Sequence, residues 1–275
     1  MAPRLSLDHI TAWGLETPAL IALAARLECE ALTLLIESPN AESAGPPFKT
    51  DAALRRDTRN RLRDNGIRLQ AIECFTLTPD KDVQTFAPGL AAGAEMGGTA
   101  ATAIIFDPDR ARTVDRLGQL VALAASFDVT VNLEFIACSA LPSLTEAVSL
   151  VRELDDPSVG IVVDSLHWTR SGGTAAELAA LDPALLGHVQ FCDGPAEMAP
   201  DRQLLHEGFR QRMIPGEGTF ALADFVSALP PGQLIGVEVP LQDLADQGVP
   251  VEERARRAVE ASRAFLVAQG YGGQS

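Results

Sequence analysis

The feature that most constrains the fold is a repeated alternation between short apolar runs and longer amphipathic segments. Most of the short runs are continuous in apolar residues, which is typical of parallel strands covered on both faces. There are eight of them: Leu5–Leu7, Ala31–Ile36, Arg68–Ile72, Ala103–Phe106, Thr130–Phe135, Val159–Val163, His188–Cys192 and Leu234–Val239. Strands that alternate with helices predict an α/β fold with a parallel sheet.

Segments with helical periodicity separate these strands. They are Thr17–Leu27, Asp51–Asp64, Val114–Phe127, Leu144–Leu154, Ala175–Ala180, Phe220–Leu229 and Glu252–Ala268, with the Ala/Gly-rich stretch Phe86–Gly98 as a further candidate. The boundaries carry their own signals. We expect Thr17 to cap the first helix ahead of Pro18, Asn65-Gly66 to end the second, and Ser143 to begin the helix that follows Pro142.

Eight strand–helix units in a chain of 275 residues predict a (β/α)8 TIM barrel. The competing architecture is an open, doubly wound sheet, which usually has a glycine-rich turn after its first strand. No such turn follows Leu7. Because no linker or change in composition divides the chain, residues 1–275 are expected to form a single TIM-barrel domain.

The formal net charge is −15, which repels phosphate backbones and anionic lipid surfaces, so neither nucleic acid nor membrane is expected as a partner. The chain has only two lysines, Lys49 and Lys81, and both lie in sequences typical of loops. A Schiff-base or pyridoxal mechanism needs a lysine at a strand end. That class of mechanism is therefore disfavoured.

Four widely spaced cysteines without a Cys-x-x-Cys pair indicate reduced, mostly buried thiols. They are Cys29, Cys74, Cys138 and Cys192. The first residues are not followed by the apolar core of a signal peptide, and no apolar run reaches about 18 residues. We therefore expect a cytoplasmic location.

Side chains that carry oxygen atoms lie at the ends of four successive strands, which are the strand ends where TIM barrels carry their chemistry. They are Glu134, Asp164, Gln190 and Glu238. Three carboxylates at one barrel mouth would repel each other, and a divalent cation removes that repulsion. Oxygen ligands favour Mn²⁺ or Mg²⁺, with Co²⁺ and Zn²⁺ as alternatives. The simpler interpretation is that each acid is a solvated loop residue or a salt-bridge partner.

With these residues, the sequence resembles the xylose isomerase-like TIM barrel superfamily, which includes sugar phosphate isomerases/epimerases and AP endonuclease family 2. The resemblance is densest from Val131 to Pro240. It implies that Glu134, Asp164, residue 190 and Glu238 bind one divalent metal. Most ketose epimerases have His at the third of these positions, whereas this chain has Gln190, as does the hydroxypyruvate isomerase-like branch.

The same resemblance extends to two further motifs. Asp164 and His167 form the family's Asp-x-x-His arrangement, in which the histidine contacts substrate. The segment from Arg212 to Gly218, with its Pro-Gly-Glu-Gly sequence, resembles the loop whose arginine reaches a substrate oxygen. On the residues alone, Arg212 is either such a donor or a surface arginine. Glu73 ends the third strand and either contacts substrate or is the partner of an arginine.

Two carboxylates beside a metal predict proton transfer next to a carbonyl. We expect an isomerase or epimerase of a small sugar or hydroxy-carbonyl compound, with Glu134 and Glu238 as catalytic residues and an enediolate between their two proton transfers. The alternative is a dehydratase of an inosose- or dehydroshikimate-like hydroxyketone. An endonuclease IV-like enzyme is disfavoured, because four histidines and a charge of −15 suit neither a multi-metal site nor DNA. A non-catalytic binding protein is a further alternative.

The segment after the eighth strand, from Pro240 to Asp246, is acidic and lacks paired glycines. Phosphate sites in barrels usually use glycine-rich loops there. We therefore expect an unphosphorylated small-molecule substrate. A homo-oligomer is an expectation by analogy with the resembled superfamily only.

Overall fold

The structure, a computed structural model, describes residues 2–37, 45–198 and 203–272. Eight parallel strands form a closed barrel in chain order, and the last strand pairs with the first. The strands are β1 (Leu5–Leu7), β2 (Ala31–Leu35), β3 (Arg68–Leu77), β4 (Ala100–Ile105), β5 (Thr130–Glu134), β6 (Val159–Asp164), β7 (Leu186–Phe191) and β8 (Ile235–Val237). The predicted (β/α)8 barrel is confirmed.

Helices pack around the outside of this barrel. They are α1 (Thr17–Arg26), α2 (Ala52–Asp64), α3 (Ala87–Glu95), α4 (Arg110–Ala125), α5 (Leu144–Leu154), α6 (Ser165–Arg170), α7 (Ala175–Ala179), α8 (Leu204–Arg210), α9 (Leu222–Ala228), α10 (Gln242–Asp246) and α11 (Val251–Ala268). Every residue of β2, β4 and β6 is buried. Those strands therefore have apolar contacts on both faces, which explains their continuous apolar sequence.

All eight predicted strands are present, and the differences are at their ends. The third strand continues beyond Ile72 to Leu77, which pairs with Ile105 of β4. The fourth strand begins at Ala100, which pairs with Thr130. Alanine has a low intrinsic preference for strands. The start of β4 is therefore determined by pairing with its neighbour rather than by local sequence.

Helix boundaries follow the predicted signals with one exception. Ser143 accepts a hydrogen bond from the backbone N–H of Glu146 and begins α5, as predicted. The prediction that Thr17 caps α1 is wrong, because the N-cap residue is Glu16 and Thr17 is already helical. Three helices were missed, namely α6, α8 and α10. Each has five to seven residues.

Within the described residues, no helix combines the length and the apolar character needed to cross a membrane. The four cysteines are free thiols, with Cys138 exposed and the other three buried. Lys49 and Lys81 both lie outside helices and strands, as expected from their sequence context.

Candidate active site

The four predicted metal ligands lie together at the C-terminal end of the barrel. Glu134 and Asp164 are the last residues of β5 and β6, Gln190 is the penultimate residue of β7, and Glu238 directly follows β8. Asp164, Gln190 and Glu238 are buried, and 12% of the Glu134 side chain is exposed. Their common level follows from the register of neighbouring strands. For example, Asp164 of β6 pairs with Gln190 of β7.

Arg212 lies between two of these carboxylates. Its Nη1 atom is 2.6 Å from Asp164 Oδ2, its Nη2 atom is 2.6 Å from Glu238 Oε2, and its Nε atom donates to the Gly208 carbonyl at 2.7 Å. Only 5% of Arg212 is exposed, so the alternative of a surface arginine is wrong. Burial by itself would lower the pKa of Arg212, but Asp164 and Glu238 outweigh it and raise that pKa well above its usual value.

One acceptor atom next to this ion pair has no hydrogen-bond donor among the described residues. Gln190 Nε2 donates to Glu238 Oε1 at 2.9 Å, and this orientation leaves Gln190 Oε1 unpartnered. Glu238 Oε2 is paired with Arg212 Nη2 at 2.6 Å. Buried acceptors of this kind are usually satisfied by a protein group, water or an ion. Gln190 Oε1 therefore indicates a ligand-binding position.

A second group of potential ligands consists of Glu134, Asp164 and His167, whose ligand atoms all lie within 4.8 Å of one another. His167 Nε2 is 3.5 Å from Glu134 Oε1 and 3.8 Å from Asp164 Oδ2. The position of His167 follows from local structure. Asp164 Oδ1 accepts a hydrogen bond from the backbone N–H of Leu166 and so caps α6, whose first turn contains His167.

Burial controls the protonation of these groups. Burial first, and repulsion from Asp164 second, raise the pKa of Glu134 to about 8, while Arg212 opposes the shift. Burial also raises the pKa of Glu238 well above its usual value, although Arg212 acts against it. Burial lowers the pKa of His167 to about 4. The His167 imidazole is therefore neutral at pH 7, which is the form that binds metals.

The prediction that Glu73 ends the third strand is wrong, because pairing with β4 extends β3 to Leu77, but Glu73 is buried beside the same cavity. Its Oε2 atom accepts a hydrogen bond from Thr33 Oγ1 at 3.1 Å, and its Oε1 atom has no hydrogen-bond partner among the residues that the structure describes. Burial, then the charges of Asp8 and Glu134, raise the pKa of Glu73 well above its usual value. A protonated Glu73 can donate a hydrogen bond into the cavity.

The cavity above these side chains has a volume of about 50 Å³, enough for a few small atoms or water molecules. Its polar lining consists of Glu73, Thr102, Glu134, His167, Gln190, Arg212 and Glu238. Leu204, Leu205 and Phe209 of α8 cover it. The prediction did not include this helix as part of the site.

Arg170 of α6 attaches α8 to the barrel. Its Nε and Nη2 atoms lie 2.9 and 2.5 Å from the two carboxylate oxygens of Glu207, a residue with no exposed surface. Arg170 also donates to the carbonyls of Pro195 and Ala196. Paired contacts between arginine and a carboxylate define orientation as well as distance. The short helix therefore has a defined position over the cavity.

Asp193 holds the loop that follows Arg212, a position that the sequence did not reveal. Its buried carboxylate accepts hydrogen bonds from the backbone N–H groups of Gly194, Gly216, Gly218 and Phe220, at 2.8 to 3.1 Å. A Cβ atom at Gly218 would lie 2.3 Å from Asp193 Oδ1. The Pro-Gly-Glu-Gly sequence thus fits around this carboxylate. An Asp directly after the seventh strand was the only signal.

Two further histidines lie near the site but differ in role. His188 is fully buried, and its Nε2 atom is 3.3 Å from Asp8 Oδ2 inside the barrel, as expected of a core histidine. His9 Nδ1 accepts a hydrogen bond from the Leu35 backbone at 2.9 Å. The ring centroid of His9 lies 5.8 Å from that of Trp13. Trp168 instead packs against Phe225.

The residues present fit a divalent cation. Glu134, Asp164 and His167 supply three atoms already close together, and Gln190 Oε1, which has no donor among the described residues, is a further oxygen ligand nearby. Carboxylate and amide oxygens suit Mn²⁺ and Mg²⁺, and an imidazole nitrogen extends the range towards Zn²⁺ and Co²⁺.

Comparisons with known proteins agree with this architecture. A family model described as xylose isomerase-like TIM barrel matches residues 21–265. A 3-dehydroshikimate dehydratase of Pseudomonas aeruginosa is 30% identical over 154 residues, which are 55% of this chain but 23% of that protein. The match therefore spans less than a quarter of the length of that relative.

Solved structures with the same fold cover nearly the whole chain. The IolI protein, crystallised with a bound zinc atom, has a TM-score of 0.81 and 16% identity, covering 97% of this chain and 99% of that one. An L-ribulose 3-epimerase has a TM-score of 0.70 and 14% identity over 98% and 96% of the two chains. The probable 3-DHS dehydratase AsbF from Bacillus anthracis has a TM-score of 0.74 and 16% identity over 94% and 98%. At these identities, the likeness shows the fold.

Proposed function

The chain belongs to the xylose isomerase-like TIM barrel family, and we propose that it is a divalent-metal-dependent isomerase or epimerase of a small, unphosphorylated hydroxy-carbonyl compound. The observation that carries this proposal is the close group of Glu134, Asp164 and His167 at the strand ends. Two other structures of this fold are described as an epimerase and as a protein that binds zinc, and both descriptions support the proposal.

We propose that the metal is bound by Glu134, Asp164, Gln190 and Glu238, with His167 close enough to join them. When bound, a divalent cation would polarise a substrate carbonyl and acidify the neighbouring C–H group. Mn²⁺ or Mg²⁺ is the expected ion, with Co²⁺ and Zn²⁺ as alternatives. Lysine chemistry plays no part, because neither Lys49 nor Lys81 lines the cavity.

The two glutamates are the proposed proton carriers. Glu134 at the end of β5 and Glu238 after β8 line the same cavity from strands separated by two others. A carboxylate whose pKa is raised towards neutrality is a stronger base than an ordinary one, and burial raises the pKa of both. One glutamate removes the proton beside the carbonyl, and the other delivers a proton to the same or the neighbouring carbon.

Three further side chains are proposed to bind the substrate. Arg212 remains charged, and its guanidinium can stabilise negative charge that develops on a substrate oxygen. His167 and the unpartnered Oε1 atom of Glu73 line the same cavity and can hydrogen-bond to hydroxyl groups. The negative charge that develops on the substrate during proton removal is thus formed beside Arg212 rather than in water.

Metal analysis combined with proton exchange tests this function. Purified protein should bind about one equivalent of divalent metal, and in deuterated water it should exchange the proton beside the carbonyl of a small hydroxyketone. Glu134→Gln and Glu238→Gln should each abolish the exchange, whereas Glu260→Gln, an exposed carboxylate on α11, should retain it. Full exchange by metal-free protein would refute the proposal.

A dehydratase is the second candidate function. It is supported by the 30% identity to a 3-dehydroshikimate dehydratase and by the fold shared with a probable dehydratase of the same type. The first proton removal is common to both reactions, and a dehydratase then expels a β-hydroxyl group. 3-Dehydroshikimate, itself an unsaturated ketone, becomes an aromatic dihydroxybenzoate when it loses water, so the appearance of an aromatic ultraviolet band would favour the dehydratase over the isomerase.

A further inference from the structure

One half of the barrel mouth carries an apolar collar, by which we mean the side chains of Leu35, Cys74, Ile104 and Ile136. These four residues pack as a cluster separate from the main core, and each is at most 9% exposed. Leu35 ends β2, Cys74 lies on β3, Ile104 lies on β4 and Ile136 follows β5. Four adjacent strands therefore contribute one apolar surface, and all four side chains line the cavity.

The collar lies directly beyond a polar layer of the same strands. Ile104 is two residues after Thr102 on β4, and Leu35 is two residues after Thr33 on β2. Residues two apart on a strand point to the same side. On this half of the barrel, the cavity wall thus changes from polar to apolar side chains within two residues along the strand.

The covering helix continues the apolar surface. Leu204, Leu205 and Phe209 of α8 line the cavity together with Ile10. Leu205 is 40% exposed and Phe209 37% exposed, which is high for large apolar side chains beside a binding cavity. Arg212 and Glu238 lie on the opposite side of the cavity, and Glu73, Thr102 and Glu134 form the polar layer beneath the collar.

From this division we infer that the substrate is amphipathic, with adjacent carbonyl and hydroxyl groups at one end and a hydrocarbon part that packs against the collar. The inference rests on the proposed function for the polar end. A ketose with a hydroxyl group on every carbon would place at least one hydroxyl against Leu35, Ile104 or Ile136, which offer it no partner. Each unpaired hydroxyl weakens binding by about tenfold or more.

Two four-carbon probes with identical reacting ends test this inference. Both 1-hydroxy-2-butanone and L-erythrulose carry a hydroxymethyl ketone, but only L-erythrulose has hydroxyl groups on its other two carbons. Calorimetric titration of the Mn²⁺-loaded protein should give a dissociation constant at least tenfold lower for 1-hydroxy-2-butanone. Equal or tighter binding of L-erythrulose, or no binding of either probe, would overturn the inference.

Variants on β4 provide the matched control. Ile104→Thr places a hydroxyl group in the collar and should reduce the ratio of the two dissociation constants to about threefold or less. Ile104→Val should preserve the ratio, because it keeps the surface apolar. Ile105→Thr removes the same atoms from the adjacent residue, which packs in the main core, and should leave the ratio unchanged. A similar loss of ratio in Ile105→Thr would assign the effect to general destabilisation and contradict the inference.

The same samples separate this inference from the proposed function. Proton exchange at C1 in deuterated water tests the function and does not depend on which probe binds more tightly. Proton exchange together with tighter binding of L-erythrulose would support the proposed function and contradict the inference of an amphipathic substrate. The expected ratio without exchange of either probe would retain the apolar subsite and remove the function.

Discussion

Arg212 and Asp164 form a buried ion pair, with 2.6 Å between Nη1 and Oδ2, although 48 residues separate them in the chain. The guanidinium also contacts Glu238. It therefore supplies positive charge beside two of the three acids at the barrel mouth. This position leads to a prediction about what happens when the arginine is removed.

We expect Arg212→Met to destabilise the metal-free protein by about 3 kcal/mol, because removing one partner leaves buried carboxylates without a counter-charge. Divalent metal should then restore more stability to the variant than to the unchanged protein. Thermal unfolding with and without Mn²⁺ measures both effects, with the exposed Arg256→Met as control. An identical metal-induced rise in Tm in both proteins would contradict the prediction.

Glu134→Gln should raise the stability of the metal-free protein while it abolishes proton exchange. Burial and Asp164 raise the pKa of Glu134 to about 8, so its ionised form is disfavoured in the folded state. The neutral amide removes that cost, which we place at about 1–3 kcal/mol at pH 7. Denaturant unfolding of both proteins measures this difference in stability, and a lower unfolding midpoint for the variant would contradict the prediction.

Metal binding should release protons near neutral pH. Because the pKa of Glu134 is about 8, its carboxyl group is mostly protonated at pH 7 and must lose its proton to bind a cation. Metal affinity should therefore rise with pH between about 6 and 8. Calorimetry in two buffers with different ionisation enthalpies should detect protons released as Mn²⁺ binds, and Glu134→Gln should release fewer.

His9 should contribute to loss of stability in acid. Burial lowers the pKa of His9 to about 4 in the folded protein, against about 6.5 in the unfolded chain. The unfolded state therefore binds more protons between these values, so stability is present above pH 6.5 and is lost as the pH falls towards 4. The loss at pH 5.5 is on the order of 1 kcal/mol.

The His9→Asn variant tests the origin of this effect. The backbone N–H of Leu35, which donates to His9 Nδ1, can still donate to the asparagine oxygen. Asparagine, however, does not titrate. Chemical unfolding at pH 7 and pH 5.5 should show a smaller difference for the variant. An unchanged difference would place the acid sensitivity elsewhere.

Asp193→Asn should loosen the loop that carries Arg212. The asparagine amide has a single oxygen, which can accept from two of the four backbone N–H groups. Its NH₂ group is itself a donor and would face the other two N–H groups, which cannot bond to it. Hydrogen exchange of the backbone from 213 to 220 should become at least tenfold faster, with a higher KM for a substrate that Arg212 binds. Asp224→Asn on the exposed face of α9 serves as control and should change neither quantity.

The eight strands and the longer helices were predictable because burial on both faces, strand length and capping residues leave local signals. Ser143 at the start of α5 and the continuous apolar run of β6 are examples. The start of β4 at Ala100 and the short helix α8 were not predictable, because pairing and packing against distant segments determine them. The same limit applied to Asp193, whose partners lie up to 27 residues along the chain.

The sequence by itself determined the barrel and identified the strand ends at which Glu134, Asp164, Gln190 and Glu238 lie. Those positions follow from strand periodicity and from the closure of parallel strands. Only the tertiary structure decided that Arg212 lies between Asp164 and Glu238, that His167 is grouped with Glu134, and that one half of the mouth is apolar. Such contacts depend on side-chain directions and on the close approach of distant strands. Neither can be predicted from a local sequence pattern.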